Sequence, residues 1–457
     1  MQTLAPSVRF LHTPLVAILL AAIPVVTAQE RGTPVLYRKL AVPAPLLSEG
    51  DEPCGGDVRI GDLTGDRRCD FLVFRNALAG NKPCFLGAFT IDGEVLWKVG
   101  SGGEVPLRPG PVAIHDLDGD GRTEVVCFLV DPTTKEPHDL GDVSIQVRDG
   151  RSGELKREAA PPELTQLRPG KNMADWCHHR LLMANLRGTD TPRDLVVKLG
   201  DRVLAFNERL ELLWSYAIQW TQYGRHTAYV PAVGDIDGDG RDEVTGGCYL
   251  LDHDGKPLWE RLVGPHMDSV AITEWDDGHV RAIGSGAGHV MDAEGNAILS
   301  LGPKVVPHGQ EVRVADFTAE LPGPEMVIRY NGHRPDVMLV SSSGRVVKRF
   351  KLNDFPPKNI GMEPVYWDGP DRPALLYNGG QLWHATGEPF ADMPEFPGVS
   401  FWSFAIPADL CGDEREELVT YNPADRFLYL YTPLPLDDSA YEAYRPGPRQ
   451  YNARLMD

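Results

Sequence analysis

An all-β propeller of seven or eight blades, eight favoured, is the fold this sequence predicts, and three observations predict it. Residues 235–243 read Asp-Ile-Asp-Gly-Asp-Gly-Arg-Asp-Glu, and 116–124 read Asp-Leu-Asp-Gly-Asp-Gly-Arg-Thr-Glu. Both loops run into β-type residues, not a helix, and neither has the twelfth-position glutamate of an EF-hand. A second unit, a glycine turn followed by an apolar segment, recurs between the loops, as in Asp92-Gly-Glu-Val-Leu-Trp97 and Asp254-Gly-Lys-Pro-Leu-Trp259. Finally, 47 Gly and 39 Pro in 457 residues supply the turns of a chain made of short strands.

The loop unit continues in weaker form. Asp62-Leu-Thr-Gly-Asp66 with Asp70, and Asp409-Leu-Cys-Gly-Asp413 with Glu417, keep most of its acids. Eroded copies stand at Asn185 with Asp194, at Asp316 with Glu325, at Trp275-Asp-Asp-Gly and at Trp367-Asp-Gly-Pro. The turn unit recurs at Leu210–Trp214, Glu294–Ile298 and Ser343–Val347. Copies spaced roughly 40 to 70 residues apart suit blades of four antiparallel strands, about eight in all. No sustained 3.6-residue apolar period argues for a helical fold.

The first 28 residues are expected to be a secretory signal peptide: Arg9 precedes an apolar run from Leu15 to Val26, and small residues follow at Thr27-Ala28. A soluble, secreted or periplasmic product is then expected, with 29–457 as one propeller domain, no membrane span and a monomeric state. Seven cysteines leave at least one thiol outside any pairing; Cys54 with Cys84 or Cys69 is a candidate bridge, and Cys69, Cys127 and Cys248 read as buried filler. A net charge of −20 repels a phosphate backbone, which excludes nucleic acid as the ligand. An acidic polysaccharide remains open where a local patch or a bound cation meets it.

Alternating carboxylates across a glycine turn converge hard oxygens on one point, which suits calcium. The candidate ion-binding sets are Asp235, Asp237, Asp239, Arg241 and Glu243; Asp116, Asp118, Asp120, Arg122 and Glu124; and Asp62, Thr64, Asp66 and Asp70. A different candidate joins His266, His308, Gln310 and Glu325 from neighbouring repeats as an imidazole-plus-oxygen site. The alternative is that these histidines satisfy hydrogen bonds in the core between blades.

Tyr223-Gly-Arg-His226, Val233–Val244, Gly264-Pro-His-Met-Asp268, His308-Gly-Gln310, Ala315-Asp316 and Pro322-Gly-Pro-Glu325 resemble, in order and spacing, the rhamnogalacturonan lyases of polysaccharide lyase family 11. The resemblance is specific over roughly 220 to 330; elsewhere the chain is similar only to the general FG-GAP or VCBS calcium-propeller repeat. It implies an eight-bladed calcium-rich propeller whose matching His, His, acidic and Glu positions hold calcium. Gln310 stands where the family has aspartate and Arg225 where it has asparagine, giving a less anionic ligand field. With 29–457 read as propeller, a counterpart of the family's separate N-terminal β-module is not expected within these residues.

Cleavage of a uronate by β-elimination needs a cation at the carboxylate, a base for the neighbouring proton and an acid for the leaving oxygen. Arg225 and His226, with Tyr330, His333 and Lys171, are the candidates for those roles. A non-catalytic propeller binding glycans or a protein would share the loops and need no base. A quinoprotein lacks support, because adjacent cysteines are absent, and no nucleophile elbow or P-loop occurs.

Overall fold

The computed structural model describes residues 32–76, 83–103, 112–129, 143–165, 180–222, 224–264, 266–276, 278–352, 361–396, 403–436, 443–447 and 452. The signal-peptide region and Lys171 lie outside them. Eight four-stranded antiparallel sheets succeed one another along the chain. Blades 1 to 7 occupy 57–100, 112–159, 180–217, 232–260, 270–300, 311–351 and 363–392. Blade 8 takes three strands from 404–432, and its fourth is Val35–Ala41 from the start of the chain, paired antiparallel with Phe427–Thr432. This closure ties the start of the chain into its last blade and so holds the ring shut.

All eight acidic or eroded loops connect strand 1 to strand 2 of their blades, and every glycine-turn unit connects strand 3 to strand 4. The turn glycine has a packing reason. A Cβ at Gly153 would lie 2.5 Å from the Trp97 ring of the preceding blade, and one at Gly255 would lie 2.6 Å from Trp214. Each of these indoles then donates from Nε1 into the same turn, Trp97 to the carbonyl of Gly150 (2.7 Å) and Trp214 to that of His253 (2.9 Å). The tryptophans that end two of these units, Trp97 and Trp214, thus lock one blade to the next.

The apolar core lies between sheets. Leu72, Phe74 and Leu86 of blade 1 pack on Val112, Ile114 and Val125 of blade 2, and comparable clusters join the other neighbours. Helix is confined, among the described residues, to one turn at Pro162–Thr165 and a 3-10 turn at Ala44–Leu46. None of these is long and apolar enough to cross a membrane. Cys54, Cys69 and Cys84 are not disulfide-bonded, which corrects the candidate bridge; all three are buried, as are Cys127 and Cys248.

Candidate active site

Three histidines meet because three successive blade connections end beside one another. His226 sits on a short extra hairpin, Thr221–Gln222 paired with Arg225–His226, just before blade 4. His266 lies in the link to blade 5 and His308 in the link to blade 6. First strands of neighbouring blades pack side by side around the axis, so residues that immediately precede them are brought together. A parallel bridge joins His226 to His266, and another joins His308 to Asn331.

Asp268 completes the group. His266 Nε2 lies 2.9 Å from Asp268 Oδ2, His308 Nε2 lies 3.1 Å from the same oxygen, and His226 Nε2 lies 3.9 Å from Oδ1. His226 Nε2 is also 3.2 Å from His266 Nδ1. Asp268 and His226 are each 2 % exposed. Burial pushes the Asp268 carboxyl up, but the bonds from His266 and His308 and the nearby imidazoles outweigh it and hold it below its ordinary value. Burial, opposed by the Thr227 carbonyl and Asp268, lowers the pKa of His226.

Proton counting shows what this arrangement lacks. His226 Nδ1 donates to the Thr227 carbonyl at 2.9 Å, so in a neutral ring Nε2 keeps its lone pair. That lone pair faces His266, whose other nitrogen faces a carboxylate oxygen. A neutral His266 has one N–H for these two acceptors, which leaves one contact acceptor-to-acceptor. Asp268 Oδ1 is buried with no hydrogen-bond partner. A cation held among His226, His266 and Asp268, whose ligand atoms all lie within 4.8 Å of one another, satisfies every one of these lone pairs. The residues therefore fit a divalent ion. A cavity of about 240 Å³ opens beside Asp268, walled by Ser269, Val270, Val312 and Arg313.

The remaining candidates fall in different places. His308 is the most open of the three rings, with 36 % of its side chain exposed. Its Nδ1 faces the turn at Gly332, where an added Cβ would lie 3.4 Å away. Arg225 is exposed beside buried His226, and His333 is half-buried on the loop that carries Asn331. The Tyr330 carbonyl accepts from His308 N at 3.1 Å, while its ring packs on the core of blades 5 and 6 beneath the Arg349 guanidinium. Gln310 is buried beside the site, its N–H donating to the Arg329 carbonyl.

Glu325 is not brought to His266 and His308. It pairs with Ala315, whereas Arg329 pairs with Glu311 near His308, so a strand length of about 13 Å intervenes. Its carboxylate instead accepts the Phe317 and Thr318 N–H groups at 2.8 and 3.2 Å. The acid at the cluster is Asp268, which the candidate ligand set left out. The His266-x-Asp268 spacing carried the signal, because alternate residues of an extended segment share a face.

The acidic loops lie at the other end of the strands. In blade 4 Asp235 accepts the Gly238 and Gly240 N–H groups at 2.7 and 2.9 Å, and Asp235, Asp237 and Asp239 bring oxygens within 4.8 Å of one another. Glu243 Oε2 accepts Ile236 N–H at 2.9 Å, but its Oε1 is buried without a hydrogen-bond partner. Burial, with the facing aspartates, pushes this carboxyl up to about 8. Asp252 and His253, from the turn between strands 3 and 4, approach Glu243 within the same limit, a contact the loop motif alone does not reveal. In blade 2 Asp116, Asp118 and Glu124 gather equally closely, while Asp120 accepts the Arg122 N–H at 2.8 Å. A guanidinium has no lone pair for an ion, so Arg122 and Arg241 can contribute only main-chain atoms. In blade 1 Asp62 and Asp66 accept loop N–H groups, and Thr64 Oγ1 donates to Asp70 at 3.1 Å. Asp70 Oδ1 there is buried without a hydrogen-bond partner.

No family model matches the chain. It is 27 % identical over 295 residues to the rhamnogalacturonan exolyase YesX of Bacillus subtilis, covering 53 % of this chain and 46 % of that protein. It is 25 % identical over 287 residues to the rhamnogalacturonan endolyase YesW of the same organism, covering 50 % and 45 %. The chain thus spans about half the length of the curated relatives it matches. The solved structure of YesW superposes with a TM-score of 0.64 at 19 % identity, covering 87 % of this chain and 76 % of that one. The biofilm matrix protein Bap1 of V. cholerae superposes with a TM-score of 0.62 at 13 % identity, covering 92 % and 94 %. The chain is therefore similar to rhamnogalacturonan lyases in sequence over half its length and in fold over most of it.

Proposed function

We propose that this protein is a secreted, calcium-dependent polysaccharide lyase that cleaves a uronate-containing polymer such as rhamnogalacturonan by β-elimination. The observation that carries this reading is the His226–His266–His308–Asp268 group, in which His226, His266 and Asp268 bring ligand atoms close enough to share one ion and stand beside an exposed arginine and the more open His308 ring. A divalent ion held by His226, His266 and Asp268 would supply charge to a uronate carboxylate, acidifying the adjacent carbon-bound proton. Arg225, exposed beside His226, would clamp that carboxylate with its planar fork. Asp268 accepts the Nε2–H of His308, which fixes the tautomer and leaves Nδ1 of that ring as the base. His226, one of the sequence candidates for the catalytic roles, is buried among the other ligand atoms and serves better as a ligand than as the base. Calcium in the blade 4 loop would hold that blade end and give the orphaned Glu243 oxygen a partner.

Incubation with rhamnogalacturonan and other uronate polymers, followed by the ultraviolet absorbance of an unsaturated uronate, tests the reading. Product that disappears on chelation and returns with calcium is expected. Absence of product on every polymer, with glycan binding retained, would sink the lyase and leave a binding propeller.

A further inference from the structure

The two loops that share Asp-x-Asp-Gly-Asp-Gly-Arg-x-Glu differ in what faces their carboxylates. Every blade carries a bulge in its fourth strand, where one residue is skipped in the pairing with strand 3. In blade 2 Arg148 pairs with Leu155 and Val147 with Arg157, so the skipped residue is Lys156. In blade 4 Leu251 pairs with Pro257 and Leu250 with Trp259, so it is Leu258. The same register leaves Leu96, Leu213, Ile298, Val347 and Phe390 in blades 1, 3, 5, 6 and 7. Blade 8 has Tyr37. Seven positions are apolar or aromatic and one is a lysine.

The Lys156 ammonium lies 2.6 Å from Glu124 Oε1 and 2.9 Å from Asp118 Oδ2. The corresponding oxygen in blade 4, Glu243 Oε1, is fully buried and has no hydrogen-bond partner. An ammonium and a calcium ion compete for the same carboxylate oxygens, and the tethered cation has a high effective concentration. We infer that Lys156 is an internal replacement for the ion in blade 2, so that of these two near-identical loops only the blade 4 loop takes a divalent cation. The loop motif of blade 2 does not fit calcium while Lys156 is in place. The inference rests on the calcium reading of blade 4 and not on the lyase reading.

Calorimetric titration of chelator-stripped full-length protein with calcium, with bound metal counted after gel filtration, tests it. Asp237→Asn should lose one calcium equivalent and Asp118→Asn none. Lys156→Leu, which copies the blade 4 residue, should gain one equivalent, melting lower than the parent without calcium and recovering when calcium is added. Lys156→Met keeps the chain length without the charge and should behave alike should the leucine variant fold poorly. Loss of an equivalent from Asp118→Asn, no loss from Asp237→Asn, or no gain in either folded Lys156 variant would each overturn the inference.

Discussion

The clustered carboxylates of each acidic loop come from one blade, whereas the histidine group is assembled from three blade connections, and the two should respond differently to the same kind of substitution. In each loop an acid that opens strand 2 accepts an N–H from the loop start: Asp70 from Leu63, Glu124 from Leu117, Glu243 from Ile236, Glu417 from Leu410, all at 2.8 to 2.9 Å. Such an acid fixes its own loop, and its loss should be felt locally. Asp268 instead ties the link before blade 5 to the link before blade 6 through His308. Its loss should leave the blades intact and dismantle the site.

Asp268→Asn is the sharpest way to break that distinction. The amide cannot hold both imidazoles as a carboxylate does, and it would face at least one of them donor-to-donor. Product formation should fall by about a hundredfold or more, while the melting temperature in calcium changes little. A fully active Asp268→Asn protein would remove this carboxylate from the site. Arg225→Lys comes next. It keeps the charge and loses the planar fork, so KM should rise by about tenfold with kcat nearly retained. Steady-state kinetics that show the reverse would mean that Arg225 acts on the reacting atoms rather than on binding.

Glu325→Gln separates the two regions from the other side. Its carboxylate is fully buried and holds two N–H groups and the Thr318 hydroxyl. The amide keeps one acceptor and buries an unwanted donor, a cost of about 1 to 2 kcal/mol. Denaturant unfolding should show that loss with kcat and metal content at the histidine group unchanged. Loss of activity without loss of stability would return Glu325 to the site and contradict its place at the far end of the strand.

These positions also show why the fold was more legible than the site. The blades are written in local strings, an acidic loop or a glycine turn beside an apolar strand, and each string specifies one connection wherever it occurs. The histidine pair 266 and 308 was legible for the same reason, since both precede an inner strand. Which acid joins them was not legible from order alone: Glu325 follows His308 closely in sequence, yet strand direction carries it to the opposite end. The repeat itself held the correction, because Glu124 and Glu243 open strand 2 in the same way and anchor loops. Lys156 was invisible for a further reason. Only the bulge register aims it at the loop, and that register is a property of paired strands.

The smallest expected effect concerns pH. Burial keeps His226 neutral in the native protein, below its ordinary value of 6.5, whereas the unfolded chain takes up the proton near that value. The stability tied to neutral His226 is therefore complete above 6.5 and is lost as pH falls towards the native value. Asp268 follows the same sign in a lower window: its carboxylate is held below the ordinary 3.8, so its contribution is complete above that value and lost as pH falls through the native one. In calcium-free buffer, carboxyls raised by burial, such as Glu243 at about 8, gain stability on acidification over the upper window, so the two losses are read as the difference in urea unfolding between parent and variant. His226→Gln should flatten the upper slope and leave the lower. If the upper slope persisted unchanged in that variant, the acid sensitivity would belong to another imidazole, and the buried, neutral ligand ring assigned to His226 would be wrong.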